Sequence, residues 1–172
     1  MITALIEWLE VQGFGWKPAD VDLLAGALGM KFEGAQEGRR AFSAGDARLV
    51  EYSTAAGLKR VEVVYWCRDA PEEDKAYRRE VKAFQKEYRQ ALERISESVT
   101  KPEFEGTVDD EGFPSGQDAV RLALWQRFWG RLILKSQHEG REIPLRVTVV
   151  LERNRSLEQG LSDPETKLQG GR

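Results

Sequence analysis

The segment from Asp69 to Thr100 constrains the fold more than any other part of this sequence. Seven apolar or aromatic residues recur in it at steps of three or four, which places them on one face of a long α-helix. They are Tyr77, Val81, Phe84, Tyr88, Leu92, Ile95 and Val99. The residues between them are mostly Lys, Arg, Glu and Gln, so the opposite face is exposed to water. Such a helix requires a partner layer that covers its apolar face.

The sequence also marks both ends of this helix. Asp69 is followed three positions later by Glu72, which is a capping-box pattern, and Pro71 is tolerated in a first helical turn. Pro102 disfavours a helical conformation in the residue before it. A helix that starts at Asp69 and stops near Thr100 is therefore predicted.

Two shorter helices are predicted at the start of the chain, within residues 2–11 and 18–28. In each of them the apolar residues share one helical face. These residues are Ile2, Leu5, Ile6 and Leu9 in the first, and Val21, Leu24, Ala25 and Leu28 in the second.

From Met30 the apolar pattern changes to a period of two, which is typical of strands. Three strands are predicted before the long helix and three after it. Their ranges are 39–43, 47–53, 58–67, 120–125, 131–137 and 145–151. Because short turns connect them, the strands of each group pair antiparallel. The predicted class is α+β: two short N-terminal helices, an antiparallel three-strand meander, a long amphipathic helix and a second antiparallel three-strand meander. One sheet and two separate sheets both fit this pattern.

Tryptophan positions suggest an aromatic surface. The alternation in strand 120–125 assigns Leu122 to the core and Trp125 to the opposite face, and Trp66 is in the corresponding register of its own strand. Trp129 follows in a turn. Since aromatic residues concentrate binding energy at protein interfaces, Trp125 and Trp129 are predicted to bind a partner through a partly exposed patch.

Residues 103–117 are predicted to form a loop with a concentrated negative charge. Its partner-binding candidates are Glu103, Glu105, Asp109, Asp110 and Glu111. Clustered acids steer association with a basic partner and add specificity. An ordinary solvated loop and a divalent-metal loop are the alternatives, although the spacing differs from the alternating acids of an EF-hand.

Composition excludes several classes of site. The 172 residues carry a net charge of -3, which gives no electrostatic basis for nucleic acid as the main partner. His138 and Cys67 are the only residues of their types, so a disulfide within the chain and a Cys/His zinc site are both ruled out. No phosphate-binding or dinucleotide glycine motif occurs. Neither a cofactor nor a catalytic site is predicted.

Length favours one domain, predicted over residues 1–152, and residues 153–172 are predicted to be a disordered C-terminal tail. Glu7 and Glu10 fall in the first apolar stretch, which is unlike a signal peptide, and no apolar run is long enough to span a bilayer. The predicted location is the cytoplasm, without membrane contact.

The chain resembles, in layout, the small α+β immunity proteins that bacteria encode beside secreted polymorphic toxins. Three features carry this resemblance: the segment Trp16-Lys-Pro-Ala-Asp20-Val21, the long charged helix that ends before Pro102, and the closing strand pair GRLILKSQHEGREIPLRVTVVL. The resemblance implies a protein that binds and neutralises a cognate toxin, as a monomer or a homodimer. It assigns no site residues.

Two alternatives come from other classes. The chain also resembles type III secretion chaperones in size, acidity and element order, which implies a role in holding a segment of a secreted effector. An enzyme that uses carboxylates alone is the other alternative, because two Asp or Glu side chains suffice for glycoside chemistry.

Overall fold

The structure is a computed structural model that describes residues 1–138 and 140–154. In this part of the chain there are three helices: α1 (Ile2–Gln12), α2 (Pro18–Ala27) and α3 (Asp74–Ser98). The eight strands within the same residues are β1 (Lys31–Gln36), β2 (Arg39–Ala44), β3 (Ala47–Thr54), β4 (Gly57–Arg68), β5 (Phe104–Thr107), β6 (Arg121–Arg127), β7 (Gly130–Gln137) and β8 (Leu145–Glu152). The α+β class is confirmed.

All eight strands form one antiparallel sheet in the order β1-β2-β3-β4-β8-β7-β6-β5. The prediction of two three-strand meanders is wrong, because the six predicted strands belong to one sheet that also contains β1 and β5. The C-terminal strand β8 pairs with β4 from Arg60 opposite Glu152 to Arg68 opposite Leu145, and this pairing joins the two groups. β1 and β5 were not predicted, because β1 is largely exposed on both faces and has no alternating apolar pattern, and β5 has only four residues.

The three helices cover one face of the sheet, called here the helix face. The main core lies between these helices and the sheet. It includes Leu5 and Leu9 of α1, Leu24 of α2, and Leu49 and Val63 of the sheet. The predicted apolar face of α3 is confirmed, with Phe84, Tyr88, Ile95 and Val99 buried, and Val81 and Leu92 packed against the core.

The start of α3 differs from the prediction. β4 extends to Arg68, which pairs with Leu145, so the chain must leave the sheet before it can begin a helix. The helix starts at Asp74 rather than Asp69, and Asp69 caps nothing in the described structure. Arg141 instead donates to the Glu72 carbonyl at 3.1 Å and pairs with the Asp74 carboxylate.

The opposite face of the sheet, called here the outer face, is only half covered. Over β5 to β8 a second apolar cluster forms beneath the connection between β5 and β6. It contains Ala119, Leu122, Leu124, Ile133 and Val150, with Phe104 and Phe113 packed against it. Over β1 to β4 the outer face is largely polar, since the Arg39 guanidinium lies 5.4 Å from the centre of the Tyr52 ring and the Tyr52 hydroxyl donates to Glu62.

A β-bulge in β4 changes which side chains face the helices. The register shifts between Val64 and Trp66. Consequently Tyr65 and Trp66 both face α3: the Tyr65 hydroxyl donates to the Glu87 carbonyl at 3.1 Å, and the Trp66 ring lies 5.9 Å from that of Phe84. The simple alternation predicted for this strand is wrong after Val64.

None of the helices in the described part of the chain is long and apolar enough to cross a membrane. The predicted domain boundary follows the end of β8 at Glu152. Of the predicted tail, residues 155–172 lie outside the described residues.

Candidate partner-binding edge

The predicted acidic residues lie at one edge of the sheet. β5 pairs only with β6 among the described strands, and the acids lie within it or on either side of it. Glu103, Glu105, Asp109, Asp110 and Glu111 are all exposed, and this set is called the acidic edge. None of the ion pairs formed within residues 1–138 and 140–154 involves them. Their charge is therefore available to a partner.

Two of the five acids also hold the local backbone. Asp110 accepts from the Thr107 N–H at 2.6 Å and from the Thr107 hydroxyl at 2.9 Å, and these hydrogen bonds lower the pKa of its carboxyl group. Glu103 accepts from the Gln126 N–H at 2.9 Å. No described partner of this kind is present for Glu105, Asp109 or Glu111, which leaves these three as the residues free to bind.

A glycine allows the acidic edge to fold tightly. A Cβ atom at Gly106 would lie 2.8 Å from the Phe104 ring and 2.9 Å from the Asp110 carboxylate. Real Cβ atoms do not approach other atoms this closely, so a larger residue would push the ring and the carboxylate apart. Gly106 thus leaves room for Asp110 to lie against β5, where Thr107 holds its carboxylate.

Exposed apolar side chains lie beside these acids. The Val108 N–H donates to the Val120 carbonyl at 3.0 Å, so the two residues are neighbours across the end of the β5–β6 pair. Val108 is 56% exposed and Val120 is 40% exposed. In the predicted strand 120–125, Val120 shares a face with Leu122, but it lies just before β6 and is exposed, unlike Leu122. An apolar centre with a charged rim is typical of a protein interface.

A groove of about 430 Å³ opens next to this apolar pair and is called the α3 groove. It runs between α3 and the strands, and its lining includes Phe84, Tyr88, Val120, Arg121 and Ser136. Tyr88 is 2% exposed, yet its hydroxyl has no hydrogen-bond partner in the described structure. Burial, and then the charge of Glu105, raise the pKa of this hydroxyl, so it remains a neutral donor. No sequence pattern indicated this groove, because its walls come from segments far apart in the chain.

The predicted aromatic surface is wrong. Trp125 is 0% exposed, faces the helices, and donates its indole N–H to the Thr100 carbonyl at 2.9 Å. Trp129 is 4% exposed, and its carbonyl accepts the indole N–H of Trp16. The exposed aromatic residue of this region is Phe128, at 77%. Neither predicted tryptophan is at the surface.

The single histidine and the single cysteine are placed for structural roles. His138 Nε2 lies 2.6 Å from the Tyr77 hydroxyl, and its ring lies 6.1 Å from that of Phe84. Cys67 lies on the outer face opposite Arg146, where burial raises the pKa of its thiol and disfavours the reactive thiolate. Within the described residues, no group of three or more His, Cys, Asp or Glu side chains is arranged to hold a metal ion.

A buried lysine marks the covered half of the outer face. Lys135 of β7 is 1% exposed, and this burial lowers the pKa of its ammonium group. The positive charge of Arg60 lowers it further, while the carboxylates of Glu62, Glu152 and Asp118 act in the opposite direction. Burying an ammonium group is costly unless carboxylates compensate it. These carboxylates are therefore part of what keeps Lys135 inside the fold.

Comparisons with protein-family models, with curated proteins and with solved structures find no match. A functional assignment must therefore be based on the chemistry of the acidic edge and the α3 groove.

Proposed function

We propose that this protein is a non-catalytic protein-binding module, and that it acts as an immunity protein which binds and neutralises a cognate toxin in the cytoplasm of the producing cell. The observation that carries the proposal is the acidic edge. Three carboxylates there are exposed and unpaired in the described structure, whereas Arg40, Arg127 and Arg131 elsewhere on the protein are each paired with an acid.

The arrangement suits a folded, basic partner. Unpaired carboxylates steer a positively charged surface toward the edge, and their effect on association decreases with salt. Val108 and Val120 then supply apolar area at the centre of the contact. The α3 groove is large enough to receive a side chain of the partner, and Tyr88 forms part of its wall.

The test uses the protein domain encoded by the gene beside this one and measures the dissociation constant of the complex at two salt concentrations. Replacing Glu105→Gln, Asp109→Asn and Glu111→Gln together should weaken binding about tenfold or more, which corresponds to roughly 1.4 kcal/mol. The salt dependence of the association rate should also decrease, since the steering charges are gone.

A matched control removes three exposed carboxylates elsewhere, with Glu7→Gln, Glu93→Gln and Glu97→Gln. The same loss of net charge should then leave the affinity close to that of the natural protein. Equal weakening by both triple variants would mean that only net charge matters. An unchanged affinity in the first variant, or no binding of the neighbouring toxin, would contradict the proposal.

A secretion chaperone is the second candidate, and the free edge of β1 favours it. β1 pairs only with β2 among the described strands, and Phe32 on it is 58% exposed. An exposed strand edge can add an extended peptide as a further strand. A chaperone should be a dimer that binds an unfolded effector segment, whereas an immunity protein should bind a folded domain. Size-exclusion chromatography with light scattering, followed by peptide titration, separates the two.

A further inference from the structure

A second cavity, of about 970 Å³, lies on the outer face and is separate from the acidic edge. It is located where β4 and β7 begin and β6 and β8 end. Its walls include the turn from Pro114 to Gln117 and the residues that follow β8. Small-molecule sites in proteins typically enclose volumes of about 300–1,000 Å³, so this cavity could hold a metabolite.

The floor of the cavity is a row of polar side chains across four adjacent strands. Arg60 of β4 is opposite Glu152 of β8, Glu152 is opposite Arg131 of β7, and Arg131 is opposite Gln126 of β6. At a strand spacing of about 4.8 Å, this row is roughly 14 Å long. The antiparallel register, rather than sequence proximity, brings these residues together.

Four cationic side chains line the cavity although the protein as a whole is acidic. Lys59, Arg60, Arg131 and Arg153 line it together with one carboxylate, that of Glu152, and Arg60 is also paired with Glu62 beside the cavity. Glu152 is already engaged, since it accepts from Arg131 at 3.1 Å and from the Gln117 amide at 3.3 Å. A single compensated carboxylate will repel an incoming anion only weakly.

Several hydrogen-bonding groups of the lining lack partners within the described residues. The Nε of Arg60 and the amide oxygen of Gln117 are both buried and unpaired. The Arg153 guanidinium forms no ion pair within residues 1–138 and 140–154. Buried polar atoms are nearly always satisfied, so unpaired donors and an unpaired acceptor at one cavity indicate a missing polar partner.

We propose that this cavity binds a small phosphorylated metabolite. The Arg153 guanidinium can donate two parallel hydrogen bonds to one phosphate. Arg60 and Arg131 are paired with Glu62 and Glu152, and each guanidinium has five N–H donors, so their remaining N–H groups can donate to the other phosphate oxygens. The Gln117 amide oxygen accepts from a hydroxyl or amino group on the rest of the molecule. The site is independent of the acidic edge, so it would bind its ligand whether or not a toxin is the protein partner.

Isothermal titration of the full chain with pyrophosphate and with ATP, at constant ionic strength, tests this proposal. We expect saturable binding at one site, and Arg153→Gln should weaken it about tenfold, because a charged hydrogen bond is lost. Arg153→Gln breaks no described ion pair, so the fold should be unaffected. Arg48→Gln is the control: it removes the same charge from an exposed position of β3 outside the cavity lining and should leave the affinity unchanged, since it breaks only a 3.6 Å surface contact with Glu33.

Amide chemical shifts locate the site. Addition of pyrophosphate should move the signals of Ser115, Gln117 and Arg131 and leave those of the acidic edge in place. No saturable binding up to ~10 mM, equal weakening by Arg153→Gln and Arg48→Gln, or shifts confined to other surfaces would overturn the proposal. Citrate that binds as tightly as pyrophosphate would overturn the assignment to phosphate.

Discussion

The two halves of the sheet share a helix-covered face but differ on the outer one. Over β1 to β4 the outer face carries interacting polar groups, such as Arg39 stacked on Tyr52 and Arg60 paired with Glu62. Over β5 to β8 it carries an apolar cluster that includes Leu122 and is covered by the connection between β5 and β6. Among the described residues, the β1 to β4 half therefore has a buried apolar cluster only on its helix face, whereas the β5 to β8 half has one on each face.

This difference explains why the apolar pattern of a strand predicts its core face in one half of the sheet and not in the other. A strand with one wet face shows its core residues as every second position. A strand buried on both faces has apolar residues at consecutive positions, so that either set could be the core. In β6 the four residues from Leu122 to Trp125 are all buried, which is why Trp125 was assigned to the wrong side.

Replacing Trp125 by Ala should have the largest effect, because this residue anchors the helix face of β6. The loss of a fully buried indole and of its hydrogen bond to Thr100 should cost about 4 kcal/mol in the free energy of unfolding, measured with urea. Phe128→Ala is the control, since it removes an aromatic ring that is 77% exposed and should cost less than about 0.5 kcal/mol. Similar costs for the two variants would contradict the burial of Trp125.

Leu122→Ala tests the outer face of the same strand. Leu122 is 0% exposed, so its loss should cost about 3 kcal/mol by urea denaturation. Val64→Ala, on the partly exposed outer face of β4, should cost only about 1 kcal/mol. If Val64→Ala were as costly as Leu122→Ala, the two halves would not differ in the way described.

Lys135→Met should stabilise the protein by about 1 kcal/mol at neutral pH, because it removes the burial of a charged amine without shortening the side chain much. Lys31→Met changes an exposed lysine in the same way and should have little effect. A Lys135→Met variant that is clearly less stable would show that the ammonium group has a net stabilising role.

The pH dependence of the same pair gives a second measurement. Since the pKa of Lys135 is lowered in the folded protein, the unfolded chain binds more protons between that pKa and the ordinary value of about 10.4. The stability contributed by this group therefore rises with pH in that window. The difference in unfolding free energy between Lys135→Met and the natural protein should shrink as the pH rises toward about 10.4.

The smallest effect is expected at the acidic edge, where Asp110 and Asp109 are adjacent but differently engaged. Hydrogen bonds from Thr107 lower the pKa of Asp110 in the folded state, so its stabilising contribution is present above about pH 3.9 and is lost as the pH falls through the folded value. Asp110→Asn should reduce the thermal midpoint at pH 7 and flatten this acid dependence. Asp109→Asn should change neither, and an equal effect of both would contradict the assignment.

The helical parts of the fold were accessible to prediction because their signal is local. The apolar stripe from Phe84 to Val99 repeats over several turns, and each residue in it reports the same buried side. The antiparallel strands and their approximate ranges followed in the same way from short turns and a period of two. The start of α3 was not accessible, because the capping pattern at Asp69 competes with the pairing of Arg68 to Leu145.

The candidate site was accessible only in part. Sequence composition identified Glu105, Asp109 and Glu111 as a cluster of charge, and the structure places them on one exposed edge. It gave no indication of the groove beside Tyr88, since that groove forms between a helix and strands brought together by folding. Composition likewise did not indicate the outer-face cavity, because Arg60 and Arg131 in its lining are distant in sequence.

Local sequence alone was enough to define the α+β class, the long amphipathic helix and the acidic character of residues 103–111, because propensity, period and charge act between near neighbours. Tertiary contacts decided that β4 pairs with β8 in a single sheet, that Trp125 is buried, and that one half of the outer face is dry. The physical reason is that a side chain's environment depends on which surface covers it. For a strand, that surface comes from residues remote in the sequence.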